Sequence, residues 1–327
     1  MHMETGRPDG RRGQLEAFLA GCGLDFDARA EYTAMLVDDG EIVAAGSLDG
    51  MTVKCVAVAP DRQGEGLAAR VMTELRREAW ARGYGQLMLY TKPRNRMMFA
   101  ELGFSPLAET RDCLLMESGR GGLERFLAGL PGAEGGVTGC VVANANPFTL
   151  GHRYLIERAL DACDTLRVFI LSEDKSLFSP DVRMTLARAG CAELSRVSFH
   201  FTGPYLVSSA TFPDYFLRDR QIVDRAFCEL DVAVFGERIA PKMGITRRFV
   251  GTEPEDGVTR QYNECLKERL PGCGVEVVEL PRREADGQVI SAGRVRALYR
   301  EGRMEALRPL VPETTFEYLL RNPYREG

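Results

Sequence analysis

The chain has 327 residues, 45% of them hydrophobic, which is material for about two domains. Its formal net charge of −5 offers no general attraction to nucleic acid or to an anionic membrane, so partners of those classes are not expected. No apolar run approaches the roughly 18 to 20 residues that span a bilayer, and the opening METGRPDGRRGQ lacks an apolar signal core, so a cytoplasmic location is expected. EYTAMLVDDGEIVAAGSLDG (31–50) reads as a strand, an Asp-Asp-Gly turn and a second strand, and VKCVAVAP (53–60) as a buried strand. A glycine turn then leads to a helix over 67–82, the strand QLMLYT (86–91) and a short helix over 95–102. ESGRGGLERFLAGLPGAEGG (117–136) gathers glycine around one short helical segment, the composition of an ordered linker. The domains are therefore placed at 1–118 and 137–327, with 119–136 between them. In the second, strands over 137–143, 166–171, 197–201, 232–235 and 275–280 alternate with helical segments, which predicts an α/β fold with a doubly wound, Rossmann-like parallel sheet.

The nine cysteines are scattered, odd in number and without a C-x-x-C pair; reduced thiols and no protein metal site are expected. Of three histidines, His2 is expected in a mobile tail and His200, in VSFHFTG, as a core or edge residue of a strand.

In the first domain, APDRQGEGLAARVM (59–72) places a glycine turn between a strand and a helix, an arrangement whose amides suit a pyrophosphate. As Gly64-x-Gly66-x-x-Ala69 it is a dinucleotide fingerprint, but the next strand ends without the acidic ribose contact. As Gln63-x-x-Gly66-x-Ala68 it resembles the coenzyme A loop of the Gcn5-related acetyltransferases, and NRMMFAELGF (95–104) resembles that family's later helix and Gly-Phe turn. The resemblance implies a mixed-sheet acetyltransferase-like domain in which Gln63, Gly64, Gly66 and Ala68 hold a coenzyme A-like arm. A turn serving only close packing is the alternative. Where the family commonly carries a tyrosine that protonates the departing thiolate, this chain has Phe99, which cannot donate a proton.

In the second domain the strand VTGCVVA runs into NANPFTLGHRYLIERAL (144–160). His152 falls at a strand-to-helix crossover, where the unpaired amides of a first helical turn attract anions. Thr149 supplies a hydroxyl, Gly151 admits a close ligand and His152 can donate to a phosphate oxygen; alternatively Thr149 and His152 only cap and fill the turn. T-L-G-H, after Asn146 and Pro147, resembles the [H/T]-x-G-H signature of the nucleotidyltransferase superfamily. ISAGRVR (290–296) resembles its second signature, I-S-S-T-x-x-R, through Ile290, Ser291 and Arg296. Ala292 and Gly293 depart from it, removing two hydroxyls. The resemblance implies ATP as substrate, with Mg2+ bound mainly through its phosphates, and with Ser291 capping a helix whose amides and Arg296 hold the β and γ phosphates. Lys175 reads equally as a solvated loop lysine or as a contact for a substrate carboxylate or phosphate, and Arg183 as a helix arginine or a packing one. RRFVGTEPEDGVTRQYNE (247–264), with Gly251 and Thr252, is assigned by position to the adenosine side of the crevice.

Taken in order, these motifs and the closing LVPETTFEYL (310–319) resemble the citrate lyase ligase family over essentially the whole chain. That resemblance implies activation of acetate as acetyl-AMP and acetylation of the thiol on the dephospho-CoA-type arm of the citrate lyase acyl carrier subunit, with AMP and pyrophosphate released. Two other readings stand beside it. One is a pantetheine-phosphate-type adenylyltransferase fused to a working acetyltransferase, the other a nonenzymatic sensor of coenzyme A or nucleotide.

Overall fold

A computed structural model describes residues 1–172, 175–206, 212–217, 219–253 and 257–324. Strand β1 (His2–Gly6) and helix α1 (Arg12–Gly21) lead to a hairpin of β2 (Tyr32–Asp38) and β3 (Glu41–Asp49). Its turn holds Asp39 and Gly40 at φ 48° and 87°, the left-handed pair that a two-residue hairpin turn requires. There follow β4 (Thr52–Val58), α2 (Leu67–Ala81), β5 (Met88–Thr91), α3 (Arg96–Glu101), β6 (Phe104–Glu109) and β7 (Leu114–Ser118). The sheet order is β1-β2-β3-β4-β5-β7-β6, antiparallel throughout except between β4 and β5. This is the mixed sheet expected. His2, placed by its sequence in a mobile tail, instead pairs with Val37 in β1, because β2 offers that segment an edge to add to.

Helix α4 (Gly122–Ala128) is the short helix of the glycine-rich stretch; its first amides, on Gly122 and Leu123, donate to the buried carboxylate of Glu117. Beyond it come β8 (Thr138–Ala143), α5 (Leu150–Leu160), β9 (Thr165–Ile170), α6 (Pro180–Gly190), β10 (Val197–Phe201), α7 (Arg220–Asp231), a π-helical turn (Val232–Ile239) and α8 (Ala240–Met243). The chain continues through β11 (Ile245–Gly251), α9 (Gly257–Arg269), β12 (Glu276–Leu280), the small hairpin β13 (Glu284–Ala285) and β14 (Gln288–Val289), α10 (Ala292–Arg300) and α11 (Glu313–Arg321). The second sheet is parallel, in the order β10-β9-β8-β11-β12.

One expectation is corrected here, and one strand is added to those expected. Residues 232–235 are not a strand: the apolar run VAVF continues a helix, and Val232, Val234 and Phe235 are buried as part of that turn. The strand that neighbours β8 is β11, whose arginines Arg247 and Arg248 broke the apolar pattern. Arg248 is nevertheless buried, held by Asp231 (2.7 Å) and the Tyr262 hydroxyl (2.8 Å) under the Phe235 ring.

The chain packs as two units, one of residues 1–125 together with 212–230, the other of the remainder. A contiguous division would have put 212–230 in the second. Seven cysteines are free thiols, Cys55, Cys113, Cys140, Cys163 and Cys191 among them buried, whereas Cys228 and Cys265 are each disulfide-bonded, which corrects the expectation of reduced thiols throughout. Among the described residues no helix is long and apolar enough to cross a membrane.

Candidate functional site

In the second sheet the chain winds from β8 outward through β9 to β10, then returns to the other side of β8 for β11 and β12. The reversal lies between β8 and β11, and the crevice at the carboxyl ends of those two strands is where an open parallel sheet binds ligands. The segment 144–149 leaves β8 there, and Gly251 ends β11 there.

The loop after β8 is held rigidly. Arg183 on α6 is fully buried; it donates through Nη1 to the Asn144 carbonyl (2.8 Å) and side-chain oxygen (2.6 Å), and through Nε to the Phe178 carbonyl (3.0 Å). This makes it a packing arginine that clamps two loops. The buried side chain of Asn146 accepts from the Phe178 amide (3.2 Å), and Ser176 donates to Asn144 (3.3 Å). The Asn146–Pro147 peptide is cis.

Thr149 is the N-cap of α5, and His152 answers it in a reciprocal capping box. The Thr149 amide donates to His152 Nδ1 (3.1 Å), the threonine hydroxyl lies 2.8 Å from the same nitrogen, and the His152 amide donates to that hydroxyl (3.3 Å). Since a backbone N–H can only donate, Nδ1 is an acceptor, and the neutral ring carries its proton on Nε2. The capping and the ligand-binding readings are therefore not alternatives: one edge of the ring caps the helix while the other presents a donor. Phe148 stacks against the imidazole at 5.6 Å. Burial, and to a lesser degree the charge of Arg282, push the His152 pKa down to about 4. The sign follows directly: the unfolded chain takes up this proton near pH 6.5, the folded chain near 4, so stability falls as pH drops through that window and is level above it. Ring nitrogen NMR is expected to find His152 as the Nε2–H tautomer at pH 7 and untitrated down to pH 5. A midpoint near 6.5 would contradict the packing described.

The two signature stretches meet. A Cβ on Gly151 would lie 2.8 Å from the Ile290 carbonyl oxygen, so only glycine lets α5 approach the second stretch this closely. Arg296 donates to the Asn146 carbonyl (2.6 Å), and burial lowers its pKa from the ordinary arginine value. Ser291 caps α10 by accepting from the Arg294 amide (3.1 Å). The closing segment props both: its Leu310 carbonyl accepts from the first amide of α5, on Leu150 (2.9 Å), and Leu310 and Phe316 pack with Ile290 and Val295. The Gly151 amide, which no described residue engages, remains at the mouth of α5.

Gly251 and Thr252 sit across the crevice. The Asn263 amide holds the Gly251 carbonyl (3.0 Å), and the Thr252 amide donates to Leu280 (2.9 Å). Residues 254–256 of the stretch assigned to adenosine lie outside the described residues. Arg282, which sequence reasoning passed over, lies 3.6 Å from where a Gly251 side chain would begin, pairs with Glu253 and carries its charge towards His152. Its signal was the arginine pair after β12, at the same carboxyl edge. Lys175 is an exposed residue of the loop after β9, next to the Ser176 that bonds Asn144. His200 is in β10, an edge strand, bonded to Ser198 (2.9 Å), with burial pushing its pKa down to about 4.

In the first unit Gly64 and Gly66 adopt φ 88° and 72° at the mouth of α2. With Gln63, Ala68, Lys92 and Phe99 they line a cavity of about 830 Å3.

Residues 138–319 match the family model described as the citrate lyase ligase C-terminal domain, and residues 6–104 match the acetyltransferase (GNAT) family. The chain belongs to the citrate lyase ligase family. It is 41% identical to the [Citrate [pro-3S]-lyase] ligase of Klebsiella pneumoniae over 95% of this chain and 93% of that one. The Escherichia coli protein of the same name is 37% identical over 94% of this chain and 89% of its own length, and the Haemophilus influenzae one 38% over 93% and 94%. Both signature stretches fall within the citrate lyase ligase match, and the turn 63–68 and Phe99 within the acetyltransferase match.

Proposed function

We propose that this chain is an ATP-dependent acid-thiol ligase that acetylates the thiol of a dephospho-CoA-type arm on the citrate lyase acyl carrier subunit. The observation that carries the reading is the meeting of the two signature stretches around one neutral imidazole, with Gly151 against Ile290 and Arg296 on Asn146. The name shared by the relatives supports citrate lyase as the protein acted on.

Acetate is a poor acyl donor until its oxygen gains a better leaving group. In the first step a carboxylate oxygen attacks the α phosphorus of ATP and the bond to the β phosphate breaks, giving acetyl-AMP and pyrophosphate. Charge gathers on the nonbridging oxygens, where His152 Nε2–H and the Gly151 amide donate. Arg296, Arg282 and the first amides of α10 take the leaving pyrophosphate, amides serving where Ala292 and Gly293 supply no hydroxyl. Mg2+ accompanies ATP through its phosphate oxygens and contributes charge neutralisation. Gly251 and Thr252 face the adenosine, and Lys175 draws in the acetate carboxylate. In the second step the arm's thiolate attacks the acetyl carbonyl carbon and AMP leaves, so no protein cysteine is needed as nucleophile. The first unit holds the arm, its glycine turn taking the pyrophosphate; with Phe99 in place of a proton donor, it binds without transferring to amines.

Exchange of labelled pyrophosphate into ATP is expected to require acetate but not the carrier, and thioester formation to require both. Exchange without acetate, or pyrophosphate release driven by phosphopantetheine alone, would point to the adenylyltransferase reading instead.

A further inference from the structure

In the first unit β4 and β5 run parallel for only two pairs, Thr52 with Met88 and Val53 with Leu89, and then separate. Cys55, at φ 52°, bends β4 away at this point. The cavity of about 830 Å3 occupies the gap. Val53 and Leu89 pack under α2 on one face of the sheet. By alternation Lys54 and Tyr90 point to the other. On the α2 face the cavity is lined by Leu67, Ala68, Met98 and Phe99; Gly23, Leu24, Tyr215 and Phe216 line its far side. The last two belong to the segment 212–230, which comes late in the chain and packs with the first unit.

The Tyr215 hydroxyl donates to the Tyr90 carbonyl (3.2 Å) and faces the Cys55 amide. Both groups lie just past the last paired residues, so a single phenol stands where the ladder hydrogen bond between the strands is missing. The segment is fixed on that face. The Tyr215 carbonyl accepts from the Asp25 amide (2.9 Å), and Phe212 stands edge-on to Tyr90 at 5.5 Å. Arg29 donates to the Phe212 carbonyl (3.3 Å) and to Asp27, which in turn holds the buried Lys54 of β4 (2.7 Å).

We propose that Tyr215 is a positioning residue that holds β4 and β5 apart and, with Phe216, closes the gap on one face, leaving a one-ended site for a pantetheine-type thiol arm. This rests on the reading of the first unit as the holder of that arm. A gap open through the sheet would let a second substrate reach the thiol end from the far face. Here the chain's own side chains occupy that approach, so the site receives an arm from the α2 face and passes nothing across the sheet.

The test is calorimetric binding of coenzyme A to the full chain and to Tyr215→Phe, which keeps the ring and removes the bridging hydroxyl. The variant is expected to bind about fivefold to tenfold more weakly, the weight of one buried hydrogen bond. In carrier acetylation its KM rises in the same proportion while kcat holds. As a measurement on the unaltered chain, the Cys55 amide, which already faces the Tyr215 hydroxyl, is expected to exchange hydrogen at the same rate with and without coenzyme A. Equal affinity of variant and wild type, or strong new protection on adding coenzyme A, overturns the role of Tyr215 alone. Absence of coenzyme A binding by the wild type overturns the arm reading, and this proposal with it.

Discussion

His152→Asn is expected to lower acetate-dependent pyrophosphate exchange by about two to three orders of magnitude, the usual cost of one transition-state donor, while the melting temperature hardly moves. The expectation separates two functions of one ring. Nδ1 accepts from the Thr149 amide and so belongs to the helix cap. An asparagine oxygen reaches nearly the same place and keeps that bond, so the first turn of α5 stays formed. What asparagine lacks is reach: nothing replaces Nε2–H at the far edge of the ring. Because the imidazole is neutral, with its pKa near 4, its part in the proposed mechanism is that of a hydrogen-bond donor to the developing phosphate charge and not that of a cation. In that mechanism Arg296 and Arg282 supply the positive charge, so activity lost through His152 is not expected to be recovered by lowering the pH from 8 to 6. Exchange assays and thermal melts on the same preparation decide the matter. Near wild-type exchange in a stable His152→Asn protein would remove the ring from the chemistry and leave it as a cap.

Much of this arrangement was legible in the sequence because it depends on local rules. Asp39-Gly40 announced a hairpin, and Thr149 followed by an apolar helical stripe announced a capped helix after a strand. The pairing of His152 with Ser291 and Arg296 came from two separated motifs, and Gly151 against Ile290 is the contact that joins them. Long-range features left weaker traces. β11 is a central strand whose arginines sit in a parallel sheet because Asp231 and Tyr262 await one of them, and neither partner is near it in sequence. The run VAVF satisfies a strand pattern and a buried helical turn equally well, and its continuity with α7 decided for the helix. Tyr215 gave no signal at all, since its value lies in two backbone groups of a sheet more than a hundred residues earlier in the chain.

Arg183→Met is expected to lower the melting temperature of the second unit by on the order of 10 °C, corresponding to about 3 kcal/mol at the usual scaling for its size, and to abolish exchange as a consequence. The guanidinium is fully buried and satisfies the carbonyls of Asn144 and Phe178 together with the Asn144 side chain. Methionine fills much of the volume but leaves the buried Phe178 carbonyl without its donor and Asn144 without its clamp, and an unmade buried hydrogen bond costs more than a formed one contributes. The damage spreads to the site because Asn144 opens the loop that carries Asn146 and Thr149, and through Asn146 the anchor of Arg296. Arg183→Lys, reaching one carbonyl in place of several acceptors, should fall between the two. The contrast with His152→Asn is the decisive one: there activity goes and stability stays, whereas here both fall together. A stable, active Arg183→Met protein would mean that the mouth of α5 is held by its own capping box and not by the clamp from α6.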